Sequence, residues 1–267
     1  MNEIKLVVFD IDGTLLASGK HSIEPSAVKA IQDLKAKGIH VLIATGRTIQ
    51  FIKPHIFEVI NSDYYVTING QCLLDKDLNI IKRHDLDDSD VEHIYQLCLK
   101  TNLSMGVKCA KHFVILNRFD LFTSIYLQGE DNQGRLIDDT KDHSYIKTHD
   151  KAMGIFIIGE VDLIIDDIKK MTHLSYSRAF IYGLEVFDKK IHKIKGIEEA
   201  LDLMHISWDN VMVIGDGDND VSMLKKAKIG VCMGNGTEHA KAASDYITTR
   251  IDDDGIKNAL RHFKLID

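Results

Sequence analysis

The sequence predicts an α/β protein in which a doubly wound parallel sheet is interrupted by an inserted α+β domain. Three observations lead to this prediction. Apolar segments alternate with segments of helical periodicity near both ends of the chain, which is typical of a parallel sheet. Two of the apolar segments end directly in acidic clusters. The middle of the chain has shorter strand-like segments and more charge in its loops, which indicates a separate insert.

The N-terminal part of the chain alternates between predicted strands and helices. Its first helix has apolar residues at Val28, Ile31 and Leu34 and ends at a glycine, as helices commonly do. The turn-prone pair Asn69-Gly70 closes this part. The predicted elements are a strand over 4–9, a helix over 26–37, a strand over 39–44, a helix through residue 57 and a strand over 64–68.

The rest of the chain divides into the insert and a second strand-helix region. In the insert we predict a helix over 90–101, strands over 105–108 and 113–117, an apolar segment over 152–158, a helix over 162–171 and strands near 180–186. After it we predict a helix over 196–204, a strand over 210–214, a helix over 221–226 and strands over 229–233 and 246–248. The predicted domains are a catalytic core of residues 1–83 and 189–267, and an inserted domain of residues 84–188.

Composition and charge exclude several classes of function. A net charge of −7 argues against nucleic acid or an anionic membrane as the main partner, because either would favour a basic patch. No apolar run approaches the roughly 18 residues of a membrane span, and Asn2-Glu3 is unlike the start of a signal peptide. The four cysteines and thirteen histidines show neither a disulfide framework nor zinc-site spacing. We expect a cytoplasmic protein. The sequence favours no particular oligomeric state.

The first acidic cluster is Phe9-Asp10-Ile11-Asp12-Gly13-Thr14-Leu15, directly after the first predicted strand. Side chains alternate along a strand, so Asp10 and Asp12 are expected on one side of its tip. A fixed carboxylate at Asp10 can act as a nucleophile and form an aspartyl-phosphate. Asp12 can then serve as general acid and general base. The alternative is a solvated turn or a helix cap, where aspartate is also common.

The second acidic cluster is Gly215-Asp216-Gly217-Asp218-Asn219-Asp220, after the strand predicted at 210–214. The carboxyl ends of parallel strands meet at one crevice, so the two clusters can face each other. Two like charges about 4 Å apart repel by roughly 4 kcal/mol at an effective dielectric constant of 20. A divalent cation removes this repulsion, and oxygen ligands in a phosphate site favour Mg²⁺. The alternative is an acidic surface loop.

Two further positions can supply hydrogen-bond donors to a phosphoryl group. Thr45 ends a predicted buried strand, so its hydroxyl and the backbone N–H groups around Gly46 can point into the same crevice. Lys193 precedes a predicted helix and can reach a phosphate as a point charge. A threonine before a glycine is often only a turn, and most lysines are solvated. Lys195 lies in the same stretch and is the alternative to Lys193.

Four motifs, taken in order, carry a family resemblance. They are Asp10-Ile11-Asp12-Gly13-Thr14-Leu15, Ala44-Thr45-Gly46-Arg47, His192-Lys193 with Gly196-Ile197, and Gly215-Asp216-Gly217-Asp218-Asn219-Asp220. This set resembles the motifs of the haloacid dehalogenase superfamily. The insert of roughly one hundred residues, with Asn69-Gly70 before it and Met233-Gly234-Asn235-Gly236 after the fourth motif, is similar to the Cof-type branch with its type IIB cap.

The resemblance implies a Mg²⁺-dependent phosphatase with a Rossmann-like core and an α/β cap. By motif position it implies that Asp10 is the nucleophile and a metal ligand, and that Asp12 is the general acid/base and a ligand through its backbone carbonyl. Asp216 would bind the metal, with Asp220 close by. Thr45, Gly46, Lys193 and Asn219 would bind phosphate, and the arrangement of the lysine motif favours Lys193 over Lys195.

The resemblance also bounds the function and the substrate. Asp12 favours a phosphatase, with a phosphomutase as the nearer alternative and a non-catalytic phosphate-ligand sensor as the other. The expected substrates are small phosphomonoesters: sugar phosphates first, then pyridoxal phosphate and flavin mononucleotide. Selectivity should come from the Asn69-Gly70 loop and from cap residues. The cap candidates are Lys108, His112, Arg178 and Tyr182, each of which can also be a solvated surface residue.

Overall fold

The computed structural model describes residues 3–267 and divides into two compact units. The core unit contains the residues up to Gly46 together with Ile52–Lys82 and His192–Asp267. The cap unit contains Arg47–Phe51 and Arg83–Ile191. The segment Arg47–Phe51, which the sequence assigned to the core, groups with the cap because the Phe51 ring contacts Phe113 edge-on at 6.0 Å.

The N-terminal half of the core unit begins with a fully buried strand. The first helix has Pro25 at its first position, where the missing N–H has no intrahelical partner to lose, and it buries Ile31 and Leu34. The elements are β1 (Leu6–Phe9), α1 (Pro25–Ala36), β2 (His40–Ala44), α2 (Pro54–Ile60), β3 (Tyr64–Thr67), β4 (Cys72–Asp75) and β5 (Ile80–Arg83). Strands β4 and β5 were not predicted from the sequence.

The cap unit contains more elements than the sequence indicated. They are α3 (Asp88–Lys100), β6 (Ser104–Lys108), β7 (Phe113–Ile115), α4 (Phe119–Tyr126), β8 (Leu136–Asp138), α5 (Ser144–Thr148), β9 (Gly154–Ile158), α6 (Ile165–Lys170), β10 (Leu174–Phe180) and β11 (Gly183–Asp188). The strand region predicted near 180–186 is in fact a hairpin, in which β10 and β11 pair antiparallel around a turn at Ile181 and Tyr182.

The C-terminal half of the core unit follows the predicted strand-helix order. Its elements are α7 (Lys193–Met204), β12 (Val211–Gly215), α8 (Val221–Lys226), β13 (Ile229–Cys232), α9 (Glu238–Ala243), β14 (Tyr246–Ile247) and α10 (Gly255–His262). Helix α8 has its predicted limits, whereas α7 begins three residues before the predicted start, at Lys193. The amphipathic helix α10 was not predicted; it buries Ile256 and Leu260.

The core sheet has eight strands in the order β14-β13-β12-β1-β2-β3-β4-β5. The pairs from β14 to β3 are parallel, and β3 pairs antiparallel with β4. From β1 the chain runs outward through β2 and β3, and from β12 it runs outward the other way, through β13 and β14. The strand order therefore reverses between β1 and β12, where the carboxyl ends of strands form a crevice. The predicted fold class is confirmed.

The cap sheet has six strands in the order β10-β11-β9-β6-β7-β8 and is antiparallel except for the β7–β8 pair. Its two faces bury separate apolar clusters. One contains Met105 and Val107 of β6, and the other contains Phe113 of β7 and Phe156 of β9. Within residues 3–267, no helix has the length and apolar character that a membrane span requires.

Candidate active site

Asp10 lies just beyond the end of β1, at the point where the core strand order reverses. Strand β1 ends at Phe9, and the Asp10 N–H donates to the Ile214 carbonyl of β12 at 3.0 Å. The Asp10 side chain is buried, whereas Asp12 is exposed. The alternation of side chains along a strand does not apply to these two acids, because β1 ends before either of them. The loop, rather than the strand, sets the positions of both carboxylates.

Lys193 forms the main charge contact of Asp10. Its Nζ lies 2.5 Å from Asp10 Oδ1 and 2.7 Å from Asp220 Oδ1, and its side chain is fully buried. Burial disfavours the ammonium, but the two carboxylates outweigh burial and raise the pKa of Lys193 above its ordinary value. Burial also raises the pKa of Asp10, and Lys193 opposes that shift. Lys193 is thus a cation held between two carboxylates.

The start of α7 brings Lys193 to this position. Gly70 has φ +101°, and a Cβ there would lie 2.1 Å from the His192 carbonyl oxygen. A side chain at residue 70 would therefore displace the backbone that leads into Lys193. Lys195, the alternative considered from the sequence, has a side chain that is 43% exposed and lies 3.4 Å from Glu199. The structure places Lys193, and not Lys195, against Asp10.

Asp220 anchors the second acidic cluster. It is fully buried, and its Oδ2 accepts the N–H groups of Asp216 and Gly217 at 2.9 Å each. Its Oδ1 accepts the hydrogen bond from Lys193 described above. Both carboxylate oxygens are therefore occupied by protein donors. Asp220 fixes the loop that carries Asp216 and supplies negative charge beneath it.

Asp216 faces the Asp10 loop across the same crevice. Its Oδ1 accepts a hydrogen bond from Thr14 Oγ1 at 2.7 Å. Burial raises the pKa of Asp216 to about 6, with the neighbouring charges of Asp220 and Asp12 acting in the same direction. Gly13 has φ +80°, and a Cβ there would lie 2.0 Å from Asp216 Oδ2. Glycine at residue 13 is therefore required both by the backbone and by the close approach of Asp216.

Three carboxylates meet closely enough to hold a cation. One oxygen each from Asp10, Asp216 and Asp220 lies within 4.8 Å of the others. The charge of Asp12 also raises the pKa of Asp10 and of Asp216. Oxygen donors that carry this much negative charge suit a hard divalent cation such as Mg²⁺. This cluster contains Asp10 and Asp216 of the predicted ligand set, together with Asp220, and its chemistry fits such a cation.

The predicted phosphate-binding residues also lie together. Thr45 follows β2, is fully buried, and its carbonyl accepts the Asn69 N–H at 3.0 Å. A Cβ at Gly46 would lie 3.0 Å from Asn69 Oδ1, and Asn219 Nδ2 donates to that same oxygen at 3.2 Å. Asn69 thus connects the loop after β2 to the second acidic cluster. In the predicted substrate loop, Asn69 thus contacts Asn219, and Gly70 lies against the backbone of His192.

Two residues with a positioning role were not singled out as site residues from the sequence. Thr14 holds Asp216, as described above. Asn235 Nδ2 donates to the Gly13 carbonyl at 2.8 Å, and its Oδ1 accepts the Ile251 N–H at 2.9 Å. Both lie within motifs quoted for the family resemblance, so the motifs contained the signal. Their partners became visible only from the folded arrangement.

The four cap candidates occupy separate places within the cap unit. Lys108 is buried in an ion pair with Glu185, whereas His112 Nδ1 lies 2.6 Å from Tyr145 Oη. Arg178 pairs with Asp162, and Tyr182 is 53% exposed at the β10–β11 turn. Three of the four side chains therefore pair with residues of the cap unit, and the fourth is largely exposed to solvent.

Comparison with known proteins identifies the family. Residues 7–260 match the model of the haloacid dehalogenase-like hydrolases. The chain belongs to this family. The predicted Cof-type branch and the predicted enzyme class, a phosphatase, are both confirmed.

Among curated relatives, the chain is 27% identical to a 5-amino-6-(5-phospho-D-ribitylamino)uracil phosphatase of Bacillus subtilis, over 98% of this chain and 97% of the relative. Among solved structures, it is similar to a subclass IIB sugar phosphatase of the haloacid dehalogenase superfamily, with 27% identity and a TM-score of 0.85, covering 98% of this chain and 100% of that one. A second solved structure has 26% identity, a TM-score of 0.83 and the same coverage. It is described as showing conservation of a trigonal-bipyramidal intermediate in a phosphoryl-transfer superfamily.

Proposed function

We propose that this protein is a Mg²⁺-dependent phosphatase that hydrolyses small-molecule phosphomonoesters through an aspartyl-phosphate on Asp10. The observation that carries the proposal is the buried carboxylate of Asp10, 2.5 Å from Lys193 Nζ and next to a second acidic strand end. A nucleophile needs a fixed position, and this contact fixes one oxygen of Asp10. The related structure from the phosphoryl-transfer superfamily supports the same class of chemistry.

The chemistry divides between Asp10 and Asp12. In the first step a carboxylate oxygen of Asp10 bonds to phosphorus, the bond to the leaving oxygen breaks, and Asp12 gives that oxygen a proton. In the second step Asp12 takes a proton from water, and the water oxygen displaces Asp10 from phosphorus. Inorganic phosphate leaves, and both carboxyl groups return to their starting states. The exposure of Asp12 allows it to reach both the leaving oxygen and water.

Separate groups of residues would hold the metal ion and the phosphoryl oxygens. Asp10, Asp216 and the Asp12 carbonyl would hold Mg²⁺, with Asp220 supporting them through the Asp216 backbone. When bound, the ion offsets the charge of the carboxylates and of the phosphoryl group. The phosphoryl oxygens accept hydrogen bonds from Lys193, Thr45, Gly46 and Asn219. The lysine binds them by its charge, and the other three donate from neutral N–H or O–H groups.

The substrate is proposed as a class. Sugar phosphates come first, because a related solved structure is a sugar phosphatase. Pyridoxal phosphate, flavin mononucleotide and the ribitylaminouracil phosphate named for the Bacillus relative complete the set. The Asn69-Gly70 loop lies beside the phosphate-binding residues and would contact the group next to the phosphate.

The four cysteines are free and buried, which supports a cytoplasmic location.

The deciding experiment measures phosphate released from p-nitrophenyl phosphate and from this metabolite set. The expected result is turnover with MgCl₂, loss of turnover with EDTA, and recovery when MgCl₂ is added back. Asp10→Asn should lower kcat by at least about a thousandfold, since the amide cannot form the aspartyl-phosphate. Mass spectrometry of acid-quenched enzyme should show one added phosphoryl group on the peptide that contains Asp10.

Other outcomes point to the two alternatives. Tight binding of a phosphate ester without turnover in the presence of MgCl₂ would indicate a sensor. Transfer of the phosphoryl group to a second hydroxyl of the substrate, with little free phosphate, would indicate a phosphomutase. Turnover that survives in Asp10→Asn would refute the nucleophile, and turnover in EDTA would refute the metal requirement.

A further inference from the structure

The cap unit contains a cavity of about 760 Å³, lined entirely by residues between Arg83 and Ala152. One wall is the face of α3 that carries Val91 and Tyr95, and the opposite wall is the segment from His143 to Lys151. Small-molecule sites typically have volumes of about 300–1,000 Å³. None of the residues assigned above to phosphate or metal lies in this lining.

Carboxylates outnumber cations at the Arg83 end of the cavity. The Arg83 guanidinium lies 2.6 Å from Asp85 Oδ1 and 2.9 Å from Asp150 Oδ1, so one positive charge faces two negative ones. The Asp150 side chain is only 11% exposed. Its Oδ1 also accepts the Lys151 N–H at 2.8 Å. Both of these contacts are made by Asp150 Oδ1, so Oδ2 is the oxygen of this carboxylate that is offered to a ligand.

The two lysines of the lining do not compensate this excess. Lys147 Nζ donates to the Asp142 carbonyl at 2.9 Å. Lys151 Nζ lies 3.7 Å from Asp88, so it is matched by a carboxylate of its own. Glu92 of α3, which also lines the cavity, adds a further negative charge. With neutral histidines, the lining carries one net negative charge, which disfavours an anionic ligand.

Aromatic side chains form the other part of the lining. The Tyr95 ring contacts the His143 ring edge-on, with centroids 4.7 Å apart. His143 Nε2 lies 3.0 Å from the Leu116 carbonyl, which places a proton on Nε2 and fixes the ring. Leu116 and Val91 are buried and provide apolar surface. A ring face beside carboxylates attracts organic cations, both by its quadrupole and by the charge.

We propose that this cavity binds a small protonated amine with a flat apolar body. The ammonium would donate to Asp150 Oδ2, and the body would lie against Tyr95 and the apolar floor. The site is independent of the phosphatase chemistry, since all of its residues belong to the cap unit. A ligand of this class that binds there would act on the protein from outside the catalytic centre.

The test uses tryptamine, with indole-3-propionate as the probe of the same shape and opposite charge. Isothermal titration calorimetry and ligand-observed NMR on the full chain should show tryptamine binding with a Kd on the order of 1 mM or tighter. Indole-3-propionate should bind at least about tenfold more weakly. Asp150→Asn should weaken tryptamine binding by about tenfold or more, and Tyr95→Leu by roughly three- to tenfold.

Controls separate the site from general effects of charge and folding. Asp166→Asn removes one exposed carboxylate from α6, outside the lining, and should leave tryptamine affinity unchanged. Asp10→Asn should also leave it unchanged, which keeps this result independent of the proposed phosphatase function. Glu92→Gln, on the exposed face of α3, supplies a second lining variant if Asp150→Asn unfolds. Equal binding of the two probes, absence of tryptamine binding, or lining variants that bind like the parent would each overturn the proposal.

Discussion

The core unit and the cap unit differ in where their buried charged side chains lie relative to the strands. In the core, Asp10 follows the end of β1, and Lys193 begins α7. In the cap, Lys108 is the last residue of β6 and Glu185 lies within β11, and each of these strands has a neighbour on both sides. Lys108 reaches across β9 at Gly154 to pair with Glu185, and its Nζ lies 5.6 Å from the centre of the Phe156 ring.

This difference shows how the location of a buried charged side chain determines its role. A carboxylate at a strand end faces a crevice, where substrate and metal can replace its protein partner. A charged side chain on a strand with neighbours on both sides, as β6 and β11 have, is enclosed by those strands, so its partner must come from the fold. We therefore expect the core charges to control catalysis and the Lys108–Glu185 pair to control stability. The predictions below test that division.

The largest expected effect is on catalysis, from the core lysines. Lys193→Met should lower kcat by on the order of a thousandfold, because it removes the cation that binds the phosphoryl oxygens. Lys195→Met is the matched control, two residues away and half-exposed, and should change kcat by less than about threefold. Steady-state kinetics with p-nitrophenyl phosphate measures both. Similar losses in the two variants would show that the wrong lysine has been assigned.

The next effect concerns the approach of Asp216 to the loop after β1. Gly13→Ala should lower activity by about a hundredfold and raise the Mg²⁺ concentration needed for half-maximal activity, since the new Cβ displaces Asp216. Gly19→Ala is the control, because Gly19 has a similar φ of +73° with nothing within 4 Å of the added atom. It shares the backbone strain without the clash. Equal activity losses would mean that strain alone, and not the contact with Asp216, is responsible.

The cap pair should affect the free energy of unfolding and not the chemical step. Lys108→Met removes the ammonium that faces the buried carboxylate of Glu185, and should lower the free energy of unfolding by about 3 kcal/mol. The double variant Lys108→Met/Glu185→Leu should recover much of that loss, because neither buried charge remains. Urea titration followed by circular dichroism measures this.

The matched control for the cap pair is an exposed pair in the same unit. Lys169→Met breaks the contact with Asp166, where both side chains are solvated, and should leave the urea midpoint unchanged. A double variant no more stable than Lys108→Met would argue against an unpaired-charge penalty. A loss of kcat in Lys108→Met at unchanged stability would show that the cap pair, like the core charges, acts in catalysis.

The smallest effect compares thiol reactivity in the two units. Burial raises the pKa of Cys98 in the cap to about 12 and that of Cys232 in the core to about 11. The thiolate is the reactive form, so both should react with Ellman's reagent at pH 8 much more slowly than a free thiol. Labelling in native buffer and in urea, followed by peptide mapping, measures this. Rapid labelling confined to one unit would show that this unit opens locally.

Prediction from the sequence succeeded where both an apolar segment and the residues that end it were visible in the sequence. The strand before Asp10, the helix beginning near Pro25 and the helix over 221–226 follow from local periodicity and breakers. It was less complete in the cap, where strands were predicted only near 180–186 and most of β10 (Leu174–Phe180) was missed. The strand β10 is largely exposed and polar, so it lacks the apolar signal that identifies a buried strand.

The sequence by itself determined the alternation of strands and helices in the core, the fold class and the residues of the acidic clusters. These depend on local patterns of apolar residues and turns, which are complete within a few positions of the chain. Only the tertiary structure decided which lysine meets Asp10, how Gly13 admits Asp216, and that Lys108 pairs with Glu185. Those contacts join residues far apart in the chain, so their distances depend on how strands pack and not on any neighbouring residue.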